Sequence, residues 1–272
     1  MKSAATLTNQ WQQELSAAVS AAHEAGVAIR ADFGERQVTS RKGRYDIQLR
    51  ADLVAQRTII RHLSQRFPHY GVVSEEGMQD TWEHSRMTWV VDPLDGTNNF
   101  GYGIAHCAVA ITLFDAETPV LSVVVDPIIG REFTAIAGPS RNRPTRVPTA
   151  VGHATVALVT DYSEEGRVTG RRIEDVLSQN CKRVTTMWAP ALDLALVSAG
   201  ALDAMVSRNA SLLDVCAGIF LVQDAGGCVL GTDGRPLRLE KSLHRGAVSF
   251  VAAGTEELAL DLLDLAFSAP GW

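Results

Sequence analysis

At residue 71 the hydrophobic period of the chain changes, and that change limits the folds open to it. Upstream, Trp11, Leu15, Val19, Ala22, Gly26 and Ile29 recur every three or four residues, which is one face of a helix. A second helix is predicted from about Asp52 to Phe67, with Leu53, Ile60, Leu63 and Phe67 on one side and Pro68 closing it. The polar, basic stretch Val38 to Ile47 between them reads as a loop or a hairpin. From Gly71 the pattern becomes short β-branched runs: Gly71 to Ser74 and Thr88 to Val91, separated by a polar loop, Gly77 to Met87. Ala108 to Phe114, Val120 to Val125 and Arg131 to Ala137 follow as a strand meander with turn residues between them. Gly138 to Pro148, with three prolines, a glycine and three arginines, is read as a solvated connector between halves. Beyond it a strand (Ala154 to Thr160), a helix (about Glu164 to Gln179), a helix (Ala191 to Ala199), a strand (Ala204 to Val206) and a helix (Leu212 to Gln223) alternate. The expected organisation is an N-terminal α+β half over residues 1–140 and a C-terminal α/β half over 150–272, forming one catalytic unit.

Composition narrows the function classes. The chain has 272 residues, 46% hydrophobic and 21% charged, which suits a folded globule with a sizeable core. No apolar run approaches the ~20 residues needed to span a bilayer, and Met1 to Asn9 lacks a secretory pattern. A net charge of −6 disfavours nucleic-acid or anionic-membrane partners. Cys107, Cys181, Cys216 and Cys228 are widely spaced without a CxxC pair, so a reducing, cytoplasmic setting is expected. The histidines show no zinc-type spacing, so any metal here would be held by carboxylates.

Carboxylates do cluster, at the ends of predicted elements. The strand Trp89 to Val91 runs into Asp92-Pro93-Leu94-Asp95-Gly96-Thr97. Pro93 lacks an N–H, so the strand is expected to stop there. Asp92 and Asp95 across a tight turn, with the Leu94 carbonyl between them, form a hard-oxygen set suited to Mg²⁺. Gly96 lets the backbone approach an anion, and Thr97 offers a hydroxyl and an N–H at a possible helix start. An ordinary Asp-Pro, Asp-Gly surface turn accounts for the same residues. Glu75-Glu76 ends the Val72-Val73 strand, and alternation lets only one face a given site, so Glu75 is chosen over the reading of a plain polar strand end. Ser211 to Asp214 reads first as a capping box opening an apolar helix, with a carboxylate ligand at a helix N-terminus as the alternative. Gly226-Gly227 closes that helix.

Together these residues resemble the inositol monophosphatase family of magnesium-dependent, lithium-sensitive phosphatases. Trp89 to Phe100 matches its first signature, with Glu75-Glu76 upstream at the expected distance. Leu213-Asp214 through Ala217-Gly218, then Asp224 to Gly227, resembles its second signature. Asp46 and Asp52 resemble the D-x-x-x-x-x-D element. The resemblance spans about residues 10 to 260. It implies an αβαβα layered sandwich of the inositol monophosphatase / fructose-1,6-bisphosphatase type, and a homodimer. It also implies two or three Mg²⁺ ions: one held by Glu75, Asp92 and the Leu94 carbonyl, a second by Asp92, Asp95 and Asp214, and a third near Glu75 with Asp46 in its outer shell. Gly96 and Thr97 N–H groups would hold phosphate. The Thr97 hydroxyl, oriented by Asp46, would position the attacking water, and Glu75 would help to deprotonate it, with no covalent nucleophile.

The sequence departs from the family pattern around the alcohol. Leu213 replaces the usual Trp, Leu49 stands where Thr is usual, and Ser74 where Gly is common. The pocket-lining Gly-Ser/Thr-Ala-Ala element appears as Trp188-Ala189-Pro190-Ala191, and the acidic residue expected to bind inositol hydroxyls aligns with Ser207, beside Arg208. The stretch Pro139 to Pro148 replaces an Asn-Gly hairpin. Arg208 suits a second anionic group on the substrate or a surface ion pair. The expected function is hydrolysis of a small phosphorylated polyol, sugar, nucleoside or amino alcohol. The alternatives are inositol-1-phosphate hydrolysis proper, and a non-catalytic binding or regulatory protein on the same fold.

Overall fold

The computed structural model describes residues 10–77, 85–138, 148–240 and 246–268. The chain divides into two compact units, residues 1–141 with 239–242, and residues 142–238 with 243–272. The proline–arginine stretch at 139–147 and most of the loop expected over 77–87 lie outside the described residues.

In the first unit, α1 (Gln12–Ile29) and α2 (Arg50–Arg66) pack on each other and on a five-stranded sheet. The buried face of α1 is a stripe of small residues: Ala17, Ala18, Ala21, Ala22, Ala25 and Gly26. With so little side chain between backbones, α1 lies close: a Cβ on Gly26 would stand 3.1 Å from Pro127 Cβ. The expected loop or hairpin is a hairpin of β1 (Val38–Arg41) and β2 (Ile47–Leu49). The sheet comprises β3 (Gly71–Ser74), β4 (Met87–Asp95), β5 (Ala108–Asp115), β6 (Thr118–Val125) and β7 (Glu132–Ile136), in that order. β3 runs parallel to β4 and the remaining pairs are antiparallel, so the meander expected from residue 108 is present. Fully buried Trp89 anchors the helix-facing core against Phe67 and Tyr70.

One detail differs from expectation and shapes the site. β4 continues through Pro93 to Asp95. The ladder to β5 is interrupted between Asp92↔Ala110 and Asp95↔Ala108, so the N–H that Pro93 lacks falls where the register shifts.

In the second unit, β8 (Thr155–Thr160), β9 (Arg183–Thr185), β10 (Ala204–Ser211), β11 (Cys228–Gly231) and β12 (Ala247–Ala253) form a sheet in the order β11-β12-β10-β8-β9. β9, β8 and β10 are parallel, while β12 and β11 are antiparallel additions. Ile173 and Leu177 of α4 (Glu164–Asn180) and Leu258 and Leu262 of α7 (Glu256–Phe267) share a core with Val156, Leu158, Val206 and Val251. α5 (Pro190–Ser198) and α6 (Leu212–Asp224) pack on each other and on β10 and β12. The first unit therefore supplies a helix layer and a sheet, and the second supplies helices and a sheet of its own. Of these elements β9, β11, β12 and α7 went unread in the sequence. β9 and β11 are short strands at the two edges of the sheet, while β12 and α7 lie past the last motif. Among the described residues no helix is long and apolar enough to cross a membrane.

Candidate active site

The first unit gathers its carboxylates at the turn between β4 and α3 (Thr97–Gly101) and at the end of β3. Asp92 is 2% exposed and Asp95 4%, unusual burial for two acids three residues apart. Asp92 Oδ1 accepts the Leu94 N–H at 3.1 Å, which tightens the turn. Gly96 takes φ +78°, a left-handed conformation that costs glycine nothing, and this lets α3 begin immediately at Thr97.

Glu75 and Asp92 bring carboxylate oxygens within 4.8 Å of one another. Burial pushes the Glu75 carboxyl above its ordinary range, and the nearby Lys42 ammonium only partly offsets this. Lys42 donates to Glu75 Oε1 at 2.7 Å and to Glu76 Oε1 at 2.8 Å. Gln48 also donates to Glu76. The expectation that one glutamate faces the site and the other faces away rested on strand alternation. Both residues instead lie in the turn after β3, where alternation does not apply, and one lysine reaches both.

The Thr97 hydroxyl lies 2.8 Å from Asp52 Oδ1 and 2.9 Å from the Leu94 carbonyl oxygen. This corrects the pairing of Thr97 with Asp46. Asp46 precedes β2, its backbone carbonyl accepts the Lys42 and Gly43 N–H groups, and burial raises its carboxyl in the field of Lys42 and Glu76. Asp52 sits at the third residue of α2, fully buried, and there its other oxygen accepts the Leu49 N–H at 2.6 Å. Leu49 has no acceptor of its own, so only the return half of a capping box exists. Burial pushes the Asp52 carboxyl up to about 7 against the lowering effect of those two hydrogen bonds. The signal for Asp52 was present in the D-x-x-x-x-x-D spacing. Lys42 carried none.

In the second unit the remaining candidates lie at the carboxyl ends of the parallel strands, where open α/β sheets hold ligands. After β8, Asp161 accepts from Asn209 Nδ2 at 3.0 Å and from the Ser163 N–H at 2.8 Å. After β9, Trp188 meets the Tyr162 ring edge-on at 4.5 Å between centroids. Trp188 takes φ +50°, a left-handed conformation rare for a bulky residue, at the position where the family's element has glycine. Ala191 is fully buried in the first turn of α5. Ser207 is also fully buried, and its hydroxyl has no hydrogen-bond partner among the described residues. Arg208 pairs with Glu165 at 3.2 Å, the ion pair weighed from the sequence. Ser211 caps α6 by accepting the Leu213 N–H at 3.2 Å, and Asp214 stands in the first turn of that helix. Gly226, at φ +80°, follows its end.

The donors of the first unit are all oxygens, on carboxylates and a carbonyl, and they suit a hard divalent cation. The Lys42 ammonium resting on Glu75 and Glu76 shows that this edge draws positive charge.

A family model described as the inositol monophosphatase family matches residues 10–262. An inositol-1-monophosphatase of Rhizobium meliloti is 31% identical over 260 residues, covering 92% of this chain and 95% of that one. A Nus factor SuhB of Xylella fastidiosa is 33% identical over 194 residues, covering 69% and 70%. Among solved structures, the extragenic suppressor protein suhB of Bartonella henselae superposes with a TM-score of 0.84 at 29% identity, covering 96% of this chain and all of that one. The chain has the layered α/β sandwich fold of such structures.

Proposed function

Because the chain belongs to the inositol monophosphatase family and is a phosphoric monoester hydrolase of that kind, we propose that its substrate is a small phosphorylated polyol, sugar, nucleoside or amino alcohol. The observation that carries this reading is the approach of the Glu75 and Asp92 carboxylates beside the turn that presents Gly96 and Thr97. The family is metal-dependent, and Mg²⁺, two or three ions per site, is the cofactor proposed here. Glu75, Asp92, Asp95 and the Leu94 carbonyl would hold it, with Asp214 of α6 completing the set that the sequence motifs carry. When bound, it neutralises phosphate charge and acidifies water. The chain's own groups do the rest. Gly96 and Thr97 N–H groups hold phosphate oxygens, the Thr97 hydroxyl accepts a hydrogen bond from the attacking water, and Glu75 draws off its proton. Sensitivity to Li⁺, a homodimeric state and a cytoplasmic location belong to the same proposal.

The alcohol side supports a substrate other than inositol 1-phosphate. Trp188 stands in place of glycine, and the position of the expected acid is Ser207, with Arg208 already paired to Glu165. The designation of the Xylella relative as a Nus factor supports a second reading, in which the chain also acts as a regulatory binding protein.

The test is phosphate release from inositol 1-phosphate, glycerol 2-phosphate, a sugar phosphate and a nucleoside monophosphate, after chelation and after Mg²⁺ is restored. Activity should return only with the metal, and Asp95→Asn should lose it. Full hydrolysis by that variant would refute the site, and a preference for inositol 1-phosphate would refute the altered pocket.

A further inference from the structure

We propose that the second unit holds a further binding site, one for a small planar ring that carries an anionic group at one end and an amino group at the other. The site goes beyond the hydrolytic reading and uses none of the residues proposed for metal or phosphate. A cavity of about 320 Å³ opens at the carboxyl ends of β8 and β9, beside the N-terminal half of α4. Every residue lining it belongs to the second unit. Leu158 and Thr160 of β8 line one side, Arg167, Gly170, Arg171 and Glu174 of α4 the next, and Thr186 and Trp188, just past β9, the third. This volume is enough for a small ligand.

The polar groups of this cavity are not used by the fold. Thr160, Arg171, Glu174 and Thr186 make no hydrogen bond or ion pair among the described residues. Arg171 and Glu174 lie three apart on one helix, a spacing at which opposite charges are neighbours, and still they do not pair. Arg167 precedes Arg171 by one turn, so two guanidinium groups stand on the same wall, a pairing suited to a phosphate or carboxylate. From Arg167 to Glu174 the helix advances about 10 Å and its charge changes sign. A ligand with an anion at the first end and a hydrogen-bond donor at the second satisfies both. The Thr160 hydroxyl is open to such a ligand because glycine faces it: a Cβ on Gly170 would stand 2.9 Å from Thr160 Cγ2 and 3.0 Å from its Oγ1.

Trp188 supplies the platform for the ring. Its φ of +50° is strained for a bulky residue and persists only where the surroundings fix it. Tyr162 helps to fix it, packed edge-on at 4.5 Å between centroids. The indole is only part-buried, and its N–H has no partner among the described residues, so packing into the core does not account for the strain. A flat ring stacked on the indole, beside buried Leu158, does account for it.

The experiment is calorimetric titration of the full chain in excess chelator, so that the first unit's carboxylates hold no divalent cation and no ester is hydrolysed. The probe is cytidine 5′-monophosphate, compared with uridine 5′-monophosphate, cytidine and inorganic phosphate. The probe should bind with a Kd on the order of 0.1 mM. Cytidine and phosphate should each bind at least about tenfold more weakly. Uridine 5′-monophosphate, with a carbonyl in place of the amine, should bind about fivefold more weakly. Arg171→Ala, at an exposed position, and Trp188→Gly, where glycine adopts the positive φ freely, should each weaken the probe by about tenfold. Asp95→Asn should leave its affinity unchanged. No binding up to about 5 mM, or affinity for cytidine, phosphate or uridine 5′-monophosphate equal to that for the probe, overturns the proposal. Loss of binding in Asp95→Asn but not in Arg171→Ala does the same. If Trp188→Gly does not fold, Glu174→Ala takes its place and should abolish the preference for cytidine over uridine monophosphate; a preference that survives overturns the proposal. The readout is binding without metal, so its failure leaves the hydrolytic reading standing, and a parent that hydrolyses no ester refutes that reading alone.

Discussion

Gly218 lies inside α6, four residues after Asp214, where helix propensity alone favours alanine by about 1 kcal/mol. The packing argues the other way. A Cβ built on Gly218 would overlap Leu194 Cβ on α5 and stand 2.8 Å from its Cδ1 and 3.1 Å from its Cγ. Leu194 Cβ is bonded to the helix backbone and no rotamer removes it, so the relief must come from α5 and α6 moving apart. Both helices are buried along this contact, including Ala191, Ala195, Val215 and Ile219. Separation on the order of 1 Å would weaken every contact along it. Overpacking of this kind costs about 3 kcal/mol at the upper end of its range. Against the propensity gain, the net loss for Gly218→Ala is about 2 kcal/mol, or a fall of roughly 4 to 8 °C in melting temperature for a chain of this size. Thermal unfolding followed by circular dichroism at 222 nm is the assay, with kcat measured on the same preparation because Asp214 shares the helix. A melting temperature equal to or above the parent's would mean that the glycine is not there for close approach, and would refute the reasoning.

Two further outcomes follow from the acidic edge and the surface. Lys42→Ala removes the ammonium that occupies Glu75 and Glu76, so half-maximal activity should need less Mg²⁺, by a factor on the order of ten for one positive charge in a partly solvated site; a titration of rate against Mg²⁺ showing an unchanged or greater requirement would contradict this. The Arg86 guanidinium, 2.6 Å from Asp115, holds that carboxyl below its ordinary value. A lowered acid stabilises the fold above its unfolded value and loses that contribution as pH falls through the folded one. Asp115→Asn should therefore be slightly less stable than the parent at neutral pH, and the two should converge below about pH 4 in urea-unfolding midpoints. A gap that stays constant or widens in acid would reject the pairing.

How much of this was legible in the chain depended on whether a feature is local. The periodicity of Trp11 to Ile29 and the β-branched runs from Gly71 placed α1, α2 and the strands β3 to β7 to within a few residues, except that β4 extends well past its expected end, because amphipathic period is a property of neighbouring residues. Asp92 to Thr97 announced its chemistry for the same reason: acids, proline, glycine and threonine are packed into one turn. The edge strands β9 and β11 were missed, since three or four residues carry too little pattern to stand out. Strand alternation did not apply to Glu75 and Glu76, because the chain had already left the strand, although Glu75 is the one of the two that meets Asp92.

The sequence by itself named the candidate acidic ligands, their order along the chain and the class of fold. Tertiary structure alone decided the partners: that Thr97 meets Asp52 and not Asp46, that Lys42 rests on two glutamates, and that Gly218 is where Leu194 must fit. Spacing within a segment is written in covalent geometry, whereas a hydrogen bond between residues 45 positions apart depends on where two separately formed elements come to rest.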